Sequence, residues 1–358
     1  MRSLAGPLVD SSSVTFELTD PDESYAAVRL WQEVRIPGDR LDFTRQDHSW
    51  VLALDRPAVD RMEYLFEVTD HAGQTEMITD PVNPNDVDGA FGVHSVVEFP
   101  GYQPPAWLSA DAVEGEWSSL SVDSRALKAA IDVRLWSPAG AAAGTSLPMI
   151  VANDGPEYDS LSRLTQYSAT AIAAGVLPPH RVALLSPGAR DEWYSCSTAY
   201  ANALATAVLP ALRRSVITYG RPVGMGTSLG ALAMLHAQRR HPATFAGLFL
   251  QSGSFFTPRY DRHEIRFGRY LRIVRFVGDT LRADSARESL PVAMTCGTIE
   301  ENLDNNRLMA AALSAQGYEV RLAELPDVHN YTAWRDGFDP HLTDLLAHVW
   351  RSAAGKAT

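Results

Sequence analysis

Cysteine and long hydrophobic runs are scarce in this chain. Only Cys196 and Cys296 occur among 358 residues. A domain of this size does not need a disulfide to be stable, so both are expected to be buried thiols rather than a bridge. No stretch reaches the length of a membrane-spanning helix, and residues 1–7 lack the sustained apolar segment of a signal peptide. These features predict a soluble, cytoplasmic protein without membrane association.

Positive charge is also in deficit. The chain has 31 Lys and Arg against 43 Asp and Glu, which gives a net charge of -12 and an isoelectric point near 5.3. This balance disfavours nucleic acid or an anionic membrane as the main partner, because both attract basic surfaces. No set of His, Cys and Asp residues has metal-ligand spacing, so we expect no protein-bound metal and no cofactor. The expected partner is a small molecule.

The apolar pattern changes near residue 100. Before it, short alternating or β-branched runs are separated by turn residues, which predicts a small all-β sandwich of the immunoglobulin-like type at residues 1–100. Residues 101–116 begin with a proline-rich stretch and are predicted to be a linker. The predicted strands include residues 14–18, 26–34, 50–54, 62–68 and 76–79.

From residue 117 to residue 358, strand-like runs alternate with Ala- and Leu-rich helical stretches. This alternation predicts a catalytic α/β domain whose mostly parallel sheet has helices on both faces. The expected strands are residues 131–136, 148–152, 181–185, 222–226, 246–251, 291–296 and 320–325. The expected helices include residues 198–213, 231–240 and 305–316.

The most informative motif is Gly226-Thr227-Ser228-Leu229-Gly230, which lies between an apolar strand and a helical pattern. A serine between two glycines at this spacing suits a sharp strand-to-helix turn that exposes the hydroxyl. Ser228 is therefore the candidate nucleophile. The backbone N–H of Leu229 is the candidate donor to the reacting oxyanion.

An acid and a histidine follow at the ends of later strands. Glu300 comes after the strand that ends near residue 296, and His329 comes after the strand that ends near residue 325. Reactive groups of such sheets lie at the carboxyl ends of the strands, and serine, acid, histidine is the order of α/β-hydrolases. The imidazole is expected to take the proton of the serine, and the carboxylate to orient the imidazole. Glu301 and Asp304 are alternative acids.

Residues 123–350 resemble the esterase branch of the α/β-hydrolases, because their motifs occur in the same order along the chain. This branch includes enterochelin (ferric-enterobactin) esterases, esterase D-like enzymes, feruloyl esterases and mycolyltransferases. The β-rich region at residues 14–99 resembles the N-terminal domain of the enterochelin esterases. The resemblance implies a serine ester hydrolase that cleaves a siderophore-type carboxylic ester through an acyl-enzyme, with iron carried by the substrate. The matching motifs are Asn153-Asp154-Gly155, Gly226 to Gly230, Gln251 to Ser254, Gly297-x-x-Glu300, His329 with Trp334-Arg335, and Arg190 with Tyr194, Ser197 and Tyr200.

The chain departs from this family at the second oxyanion donor. In relatives the residue after the Asp154-Gly155 pair often supplies the donor, but here it is Pro156, which has no N–H. Loss of one such donor typically costs about 2.7 to 4 kcal/mol of transition-state stabilisation, so a substitute is expected. The N–H of Gly155 is our first candidate, and the N–H of Glu157 and the hydroxyl of Tyr158 are the alternatives.

Substrate contacts are predicted for one arginine and four aromatic residues. Arg190 follows a strand, and its guanidinium offers a rigid fork to carboxylate or catecholate oxygens. Tyr158, Trp193, Tyr194 and Trp334 are candidates for aromatic contact with the acyl group, although aromatic residues in such loops more often serve packing.

Six arginines lie between residues 259 and 275, several of them at helical spacing. They either face an anionic substrate or form a solvated helix face that is paired with Asp261, Glu264 and Asp279. The sequence leaves both readings open.

Two other functions also remain open. One is acyl transfer to an alcohol through the same acyl-enzyme. The other is a catalytically inactive binding protein with a hydrolase fold, which Pro156 favours. The sequence does not decide the oligomeric state or the role of the β domain.

Overall fold

A computed structural model describes residues 6–110 and 115–354 of the chain, and the side chains as far as residue 351. The described chain forms two compact units. The first contains the residues up to Pro104 together with the short segments Gly297–Glu300 and Pro326–Asn330. The second contains the remaining described residues from Pro105 onward. The domain boundaries at residues 100 and 116 stay a prediction.

The first unit is an antiparallel β structure, as predicted. Its two sheets have the strand orders β1-β2-β5-β4 and β3-β6-β9-β8, and β7 pairs with β6. The strands are β1 (Leu8–Val9), β2 (Ser13–Thr19), β3 (Tyr25–Gln32), β4 (Thr44–Gln46), β5 (Ser49–Asp55), β6 (Arg61–Asp70), β7 (Thr75–Ile78), β8 (Asp86–Gly89) and β9 (Gly92–Glu98).

The core of this unit draws on both sheets. Alternate residues of β2 are buried, and Phe16 meets Tyr64 of β6 edge to face with ring centroids 4.8 Å apart. Val328 belongs to the same apolar cluster, and Ile299 packs against it. The two short segments from late in the chain are therefore part of the hydrophobic core of this first unit, which we call the β unit.

The second unit is built on an eight-stranded sheet in the order β10-β11-β13-β12-β14-β15-β16-β17. The pairs β10/β11 and β11/β13 are antiparallel, whereas β13, β12, β14, β15 and β16 pair in parallel. The strands are β10 (Gly115–Ser124), β11 (Ala129–Pro138), β12 (Met149–Ala152), β13 (Arg181–Leu185), β14 (Val223–Thr227), β15 (Gly247–Gln251), β16 (Pro291–Gly297) and β17 (Glu319–Leu325).

Helices cover both faces of this sheet, as predicted. Along β13, Val182 and Leu184 enter one apolar cluster, and Ala183 and Leu185 enter another on the opposite face. The helices are α1 (Gly155–Ser160), α2 (Leu164–Ala173), α3 (Arg190–Tyr194), α4 (Thr198–Ala203), α5 (Leu209–Ser215), α6 (Leu229–Arg240), α7 (Tyr270–Leu281), α8 (Leu303–Ala315), α9 (Tyr331–Asp336) and α10 (Thr343–Ala354). Short 3-10 turns lie at Gly38–Arg40, Ala106–Ser109 and Arg262–Arg266, and π-helical segments at Leu204–Val208 and Phe338–Leu342.

The strands β1, β4, β8 and β9 of the first unit and β10 of the second unit were not among those predicted. β10 has the sequence GEWSSLSVDS, in which polar residues predominate, and its exposed edge position needs few apolar side chains.

Both cysteines lie in the described chain, where they are buried thiols that are not joined to each other. None of the helices between residues 6 and 354, leaving aside 111–114, is long and apolar enough to cross a membrane.

Candidate active site

Ser228 lies at a sharp turn between β14 and α6. Its backbone has φ 54° and ψ -123°, a left-handed conformation that costs a non-glycine residue about 1–3 kcal/mol. Two hydrogen bonds hold the turn, because the Ser228 N–H donates to the carbonyl of Gln251 at 2.9 Å and the Ser228 carbonyl accepts from Ser254 N–H at 3.1 Å. Ser228 is partly exposed within a run of buried residues. The turn therefore presents the serine side chain at the end of the sheet.

The glycines of the motif are required by close backbone packing. A Cβ atom at Gly226 would lie 2.5 Å from the backbone of Gly230. A Cβ atom at Gly230 would lie 3.0 Å from Oδ2 of Asp154. Only glycine fits the first position without a shift of the backbone, and this explains the spacing that singled out the motif in the sequence.

Ser254 lies beside the candidate nucleophile, although no role was predicted for it. Its hydroxyl lies 3.1 Å from the hydroxyl of Ser228, and either oxygen is a possible donor. The signal was present in the sequence, because Ser254 follows β15, the strand next to β14 in the sheet. Ser254 is thus placed to orient the hydroxyl of Ser228.

Glu300 and His329 form a close pair in the first unit. Oε2 of Glu300 lies 2.7 Å from Nδ1 of His329, and Oε1 accepts a hydrogen bond from the N–H of Gly297 at 2.7 Å. The Glu300 side chain is 1% exposed, whereas the His329 side chain is 37% exposed. A Cβ at Gly297 would lie 2.2 Å from the carbonyl oxygen of Asp327, so a glycine is needed where the two segments meet. This arrangement fixes one ring nitrogen of the imidazole against a buried carboxylate.

The two alternative acids have other partners. Glu301 lies 3.0 Å from Nε2 of His263, and Asp304 pairs with Arg307 at 3.3 Å. Among the described residues, one group has the geometry of metal ligands, with ligand atoms within 4.8 Å of one another: His263, Glu264 and Glu301. Exposed groups of this kind are common without a metal, so it is no basis for a metal centre.

The loop between β12 and α1 is held by an ion pair. The guanidinium of Arg190 binds Asp154 through both prongs, Nε to Oδ1 at 2.8 Å and Nη2 to Oδ2 at 2.9 Å. Asp154 adopts φ 49°, and its N–H donates to the hydroxyl of Tyr194 at 3.1 Å. Burial opposes ionisation of Arg190, but the hydrogen bonds and charge of Asp154 raise the pKa of its guanidinium. Arg190 was predicted to bind a substrate anion, and its fork is already occupied by a protein carboxylate.

The same loop is tied to the serine turn. The side-chain amide of Asn153 donates to the carbonyl of Gly230 at 3.0 Å, and its oxygen accepts from the hydroxyl of Tyr200. A Cβ at Gly155 would lie 2.4 Å from the backbone of Leu184, so the loop packs directly on β13. These contacts all lie within the second unit and join the two backbone segments that carry the predicted oxyanion donors.

The candidates for the second oxyanion donor differ in their surroundings. Gly155 begins α1, and the first N–H groups of a helix have no acceptor within the helix. The N–H of Glu157 interacts with its own carboxylate, whose pKa is raised by burial and by the charge of Asp154. The hydroxyl of Tyr158 is buried and donates to Oε1 of Gln251 at 2.9 Å. Gly155 therefore stays our first candidate for the second donor, as a prediction.

The four aromatic residues predicted to contact substrate are all buried. Trp193 stacks on Tyr200 with ring centroids 6.0 Å apart, and Trp334 donates to the hydroxyl of Ser252 at 2.9 Å. The Tyr194 ring lies under the guanidinium of Arg190 at 5.6 Å. The remaining member, Tyr158, is 0% exposed. These contacts describe packing, and contact with substrate stays a prediction.

The arginine-rich segment does not pair as the sequence suggested. Arg269 and Arg272 both bind Glu192 of α3, and Arg272 also donates to the carbonyl of Ser195. Asp279, an expected partner, instead pairs with Arg282. The pairing acid, Glu192, was missed because it lies 77 residues before Arg269 in the sequence.

The predicted catalytic residues fall into two groups. Ser228, Leu229 and Gly155 belong to the second unit, and Glu300 and His329 belong to the first. Convergence of the two groups on one substrate stays a prediction.

The second unit has a mostly parallel sheet with a serine at a sharp strand-to-helix turn. These two features define the α/β-hydrolase class, to which this fold belongs.

The family model named Esterase matches residues 124–345, which is more than half of the chain. The protein belongs to the Esterase family and is accordingly a hydrolase of the esterase type. No curated protein sequence matches the chain at a significant level.

Solved structures agree with this fold over nearly the whole chain. The enterobactin esterase of Shigella flexneri, crystallised in the presence of enterobactin, is 20% identical with a TM-score of 0.75, covering 97% of this chain and 96% of that chain. The ferric enterobactin esterase of Salmonella typhimurium is 20% identical with a TM-score of 0.74 and the same coverage. The feruloyl esterase module of Clostridium thermocellum, complexed with sinapinate, is 13% identical with a TM-score of 0.51, covering 68% of this chain and 93% of that chain.

Proposed function

We propose that this protein is a serine hydrolase of carboxylic esters that works through an acyl-enzyme. The observation that carries the proposal is the 2.7 Å contact between the buried carboxylate of Glu300 and Nδ1 of His329. A carboxylate at Nδ1 selects the imidazole tautomer whose Nε2 accepts a proton, which is the form a general base needs. The second support is the strained, partly exposed turn at Ser228.

In the proposed reaction, the Ser228 hydroxyl attacks the ester carbonyl while its proton passes to Nε2 of His329. The N–H groups of Leu229 and Gly155 donate to the oxyanion of the tetrahedral intermediate. The bond between carbonyl carbon and alkoxy oxygen then breaks, and the alcohol leaves with the proton from Nε2. Water next attacks the acyl-enzyme and gives a proton to Nε2. The bond between the carbonyl carbon and Oγ of Ser228 then breaks, Nε2 returns the proton to Oγ, and the carboxylic acid leaves. Glu300 stabilises the imidazolium in both halves of the cycle.

The proposed substrate is a siderophore-type ester of the enterobactin kind, with iron bound by the substrate. Support comes from the two enterobactin esterases, which match 97% of this chain and so include its β unit, whereas the feruloyl esterase module matches 68%. The cytoplasmic location predicted from the sequence belongs to this proposal, and cell fractionation tests it.

Hydrolysis of p-nitrophenyl acetate by the wild type, Ser228→Ala and Ser160→Ala tests the mechanism. Ser160 is an exposed serine at the end of α1 and serves as the matched control. We expect Ser228→Ala to lose hydrolysis and labelling by a fluorophosphonate probe, and Ser160→Ala to keep both. Equal hydrolysis by wild type and folded Ser228→Ala, or a label mapped to another residue, contradicts the proposal.

The substrate is tested separately by chromatography of ferric enterobactin digests. We expect free 2,3-dihydroxybenzoylserine fragments with the wild type and none with Ser228→Ala. Adding an alcohol acceptor separates hydrolysis from acyl transfer, because transfer yields a new ester in place of the free acid. If the new ester is formed in excess over the free acid, the protein is an acyltransferase rather than a hydrolase.

A further inference from the structure

A buried charge network in the β unit surrounds the loop that carries His329. Arg61 begins β6 and its side chain is 2% exposed. Nη2 of Arg61 donates to Oε1 of Glu63 at 2.8 Å, and Oε2 of Glu63 lies 2.9 Å from Nδ1 of His94 on β9. One terminal nitrogen of the guanidinium is thus used within the sheet.

The other terminal nitrogen of Arg61 faces the loop Pro326–Asn330. Nη1 lies 3.3 Å from Oδ1 of Asn330 and 3.8 Å from Oδ2 of Asp327. A buried guanidinium is costly unless its donors have partners, so the loop completes the environment that Arg61 requires. Asp327 also turns its second oxygen to the N–H of Val328 at 2.8 Å.

Asn330 is suited to this place because it both accepts and donates. Its oxygen faces the cation of Arg61, and its NH₂ group lies 3.4 Å from the carboxylate of Glu33. An amide satisfies both neighbours, whereas a carboxylate has no donor for Glu33. These long hydrogen bonds are individually weak, but both groups of the amide are engaged.

Backbone and apolar contacts hold the same loop. The N–H of Asp60, directly before β6, donates to the carbonyl of Pro326 at 2.8 Å. Val328 is 2% exposed and belongs to the core of the β sandwich. The residues on both sides of His329 are therefore fixed by the β unit, while His329 itself remains 37% exposed.

We propose that Arg61 and Asn330 are positioning residues of the catalytic histidine, so that the β unit sets the geometry of the general base. This inference rests on the proposed role of His329. The carboxylate of Glu300 is anchored by the N–H of Gly297, so the 2.7 Å contact with His329 depends on where the loop holds the imidazole. Misplacement of a catalytic group by about 1 Å lowers the rate on the order of a hundredfold.

The test uses Asn330→Ala and Arg61→Lys in the full chain, with Tyr64→Phe as the matched control. Tyr64 lies on the same strand and is equally buried, but its hydroxyl bonds with Asp80 at 2.7 Å and with Asn83 at 3.0 Å, both outside the loop. All three variants therefore lose a buried polar contact of the β unit, and only two of them lose a contact with the loop.

Two readouts are measured beside the thermal midpoint. For hydrolysis of p-nitrophenyl acetate, we expect Asn330→Ala to lower kcat about 10- to 100-fold with KM within about twofold of wild type, since positioning acts on the reaction step. Arg61→Lys keeps the charge but not the fork, so its kcat should lie between those of Asn330→Ala and the wild type. Tyr64→Phe should keep the wild-type kcat.

The second readout does not depend on turnover. The Nδ1 proton shared by His329 and Glu300 is expected to give a downfield proton resonance in the wild type. It should shift or broaden in Asn330→Ala and Arg61→Lys but not in Tyr64→Phe. If the wild type does not hydrolyse esters, the proposed function fails, and this resonance still tests the positioning.

An unchanged kcat and an unchanged resonance in either loop-contact variant overturn the inference. Equal losses in Tyr64→Phe at an equal shift of the thermal midpoint also overturn it, because the effect is then general destabilisation. If Asn330→Ala does not fold, Arg61→Lys decides the outcome by the same two readouts.

Discussion

Replacement of Arg190 by methionine separates two roles for this arginine. Its residue type and its place after a strand predict contact with a substrate anion, whereas in the structure its fork pairs with Asp154 at 2.8 and 2.9 Å. Methionine keeps much of the apolar stem and removes the charge. If Arg190 holds the loop that carries Gly155, Arg190→Met should harm stability and the chemical step for every ester, charged or not.

The size of the stability effect follows from the burial of the partner. Asp154 is 1% exposed and would be left as a buried carboxylate without its counter-charge, a loss that costs about 3–5 kcal/mol for fully buried pairs. Arg190 is 34% exposed, so solvent reduces the cost, and we expect about 2–3 kcal/mol. Arg272 is a matched control, because it is also 34% exposed but its partner Glu192 is 44% exposed. Arg272→Met should lose only about 0–1 kcal/mol.

Urea unfolding at pH 7 measures the stability arm of this prediction. The kinetic arm compares p-nitrophenyl acetate with a negatively charged p-nitrophenyl hemisuccinate. Displacement of the Gly155 N–H from the oxyanion should lower kcat for both esters by about 10- to 100-fold, which is below the full loss of a donor. Arg272→Met should leave both rates near the wild-type values.

The opposite pattern would show that Arg190 acts on the substrate and not on the loop. It would be a loss of less than about 0.5 kcal/mol in Arg190→Met, with unchanged kcat for the uncharged ester and a raised KM for the charged ester alone. Arg190 would then act on the substrate anion, and the pair with Asp154 would contribute little to the loop.

Two further predictions concern single ionisable groups. Glu300→Gln should lower kcat by about 10³- to 10⁴-fold through the wrong imidazole tautomer, while Glu301→Gln, a change at the exposed neighbour, should not; equal kinetics of the two variants would contradict the pairing. His180 is buried, and burial lowers its pKa from 6.5 to about 4, so the folded state resists protonation and stability should fall as the pH drops from 6.5 towards 4. Between pH 7 and pH 5 this loss is about 2 kcal/mol, and urea midpoints of His180→Leu should show a correspondingly smaller acid loss than the wild type.

Much of the fold was accessible to sequence reasoning because its signals are local. The strands β12 to β16 are short, buried and mostly apolar, and they alternate with helices as parallel sheets require. The turn at Ser228 is marked by Gly226 and Gly230, whose missing side chains make room for close backbone packing. β10 was missed because an edge strand of mostly polar residues carries no such signal.

The pairing of charged side chains was harder to predict. Arg190 has the residue type of a substrate-binding group, and nothing near it in sequence reveals that Asp154, 36 residues earlier, occupies its fork. Likewise, Arg61 lies 269 residues before Asn330. Choosing among several acids for one base requires distances, which composition and spacing do not contain.

The alternation of strands and helices and the serine turn could be predicted from the sequence, because each depends on residues close together in the chain. The order of Ser228, Glu300 and His329 could be read as well, because each residue follows a predicted strand, and their common role stays a prediction. Three contacts became known only from the folded chain: Glu300 rather than Glu301 meets His329, Asp154 takes the fork of Arg190, and the histidine loop is built into the β sandwich. The reason is physical: buried charges are stable only beside specific partners, and chain folding brings those partners together from distant positions.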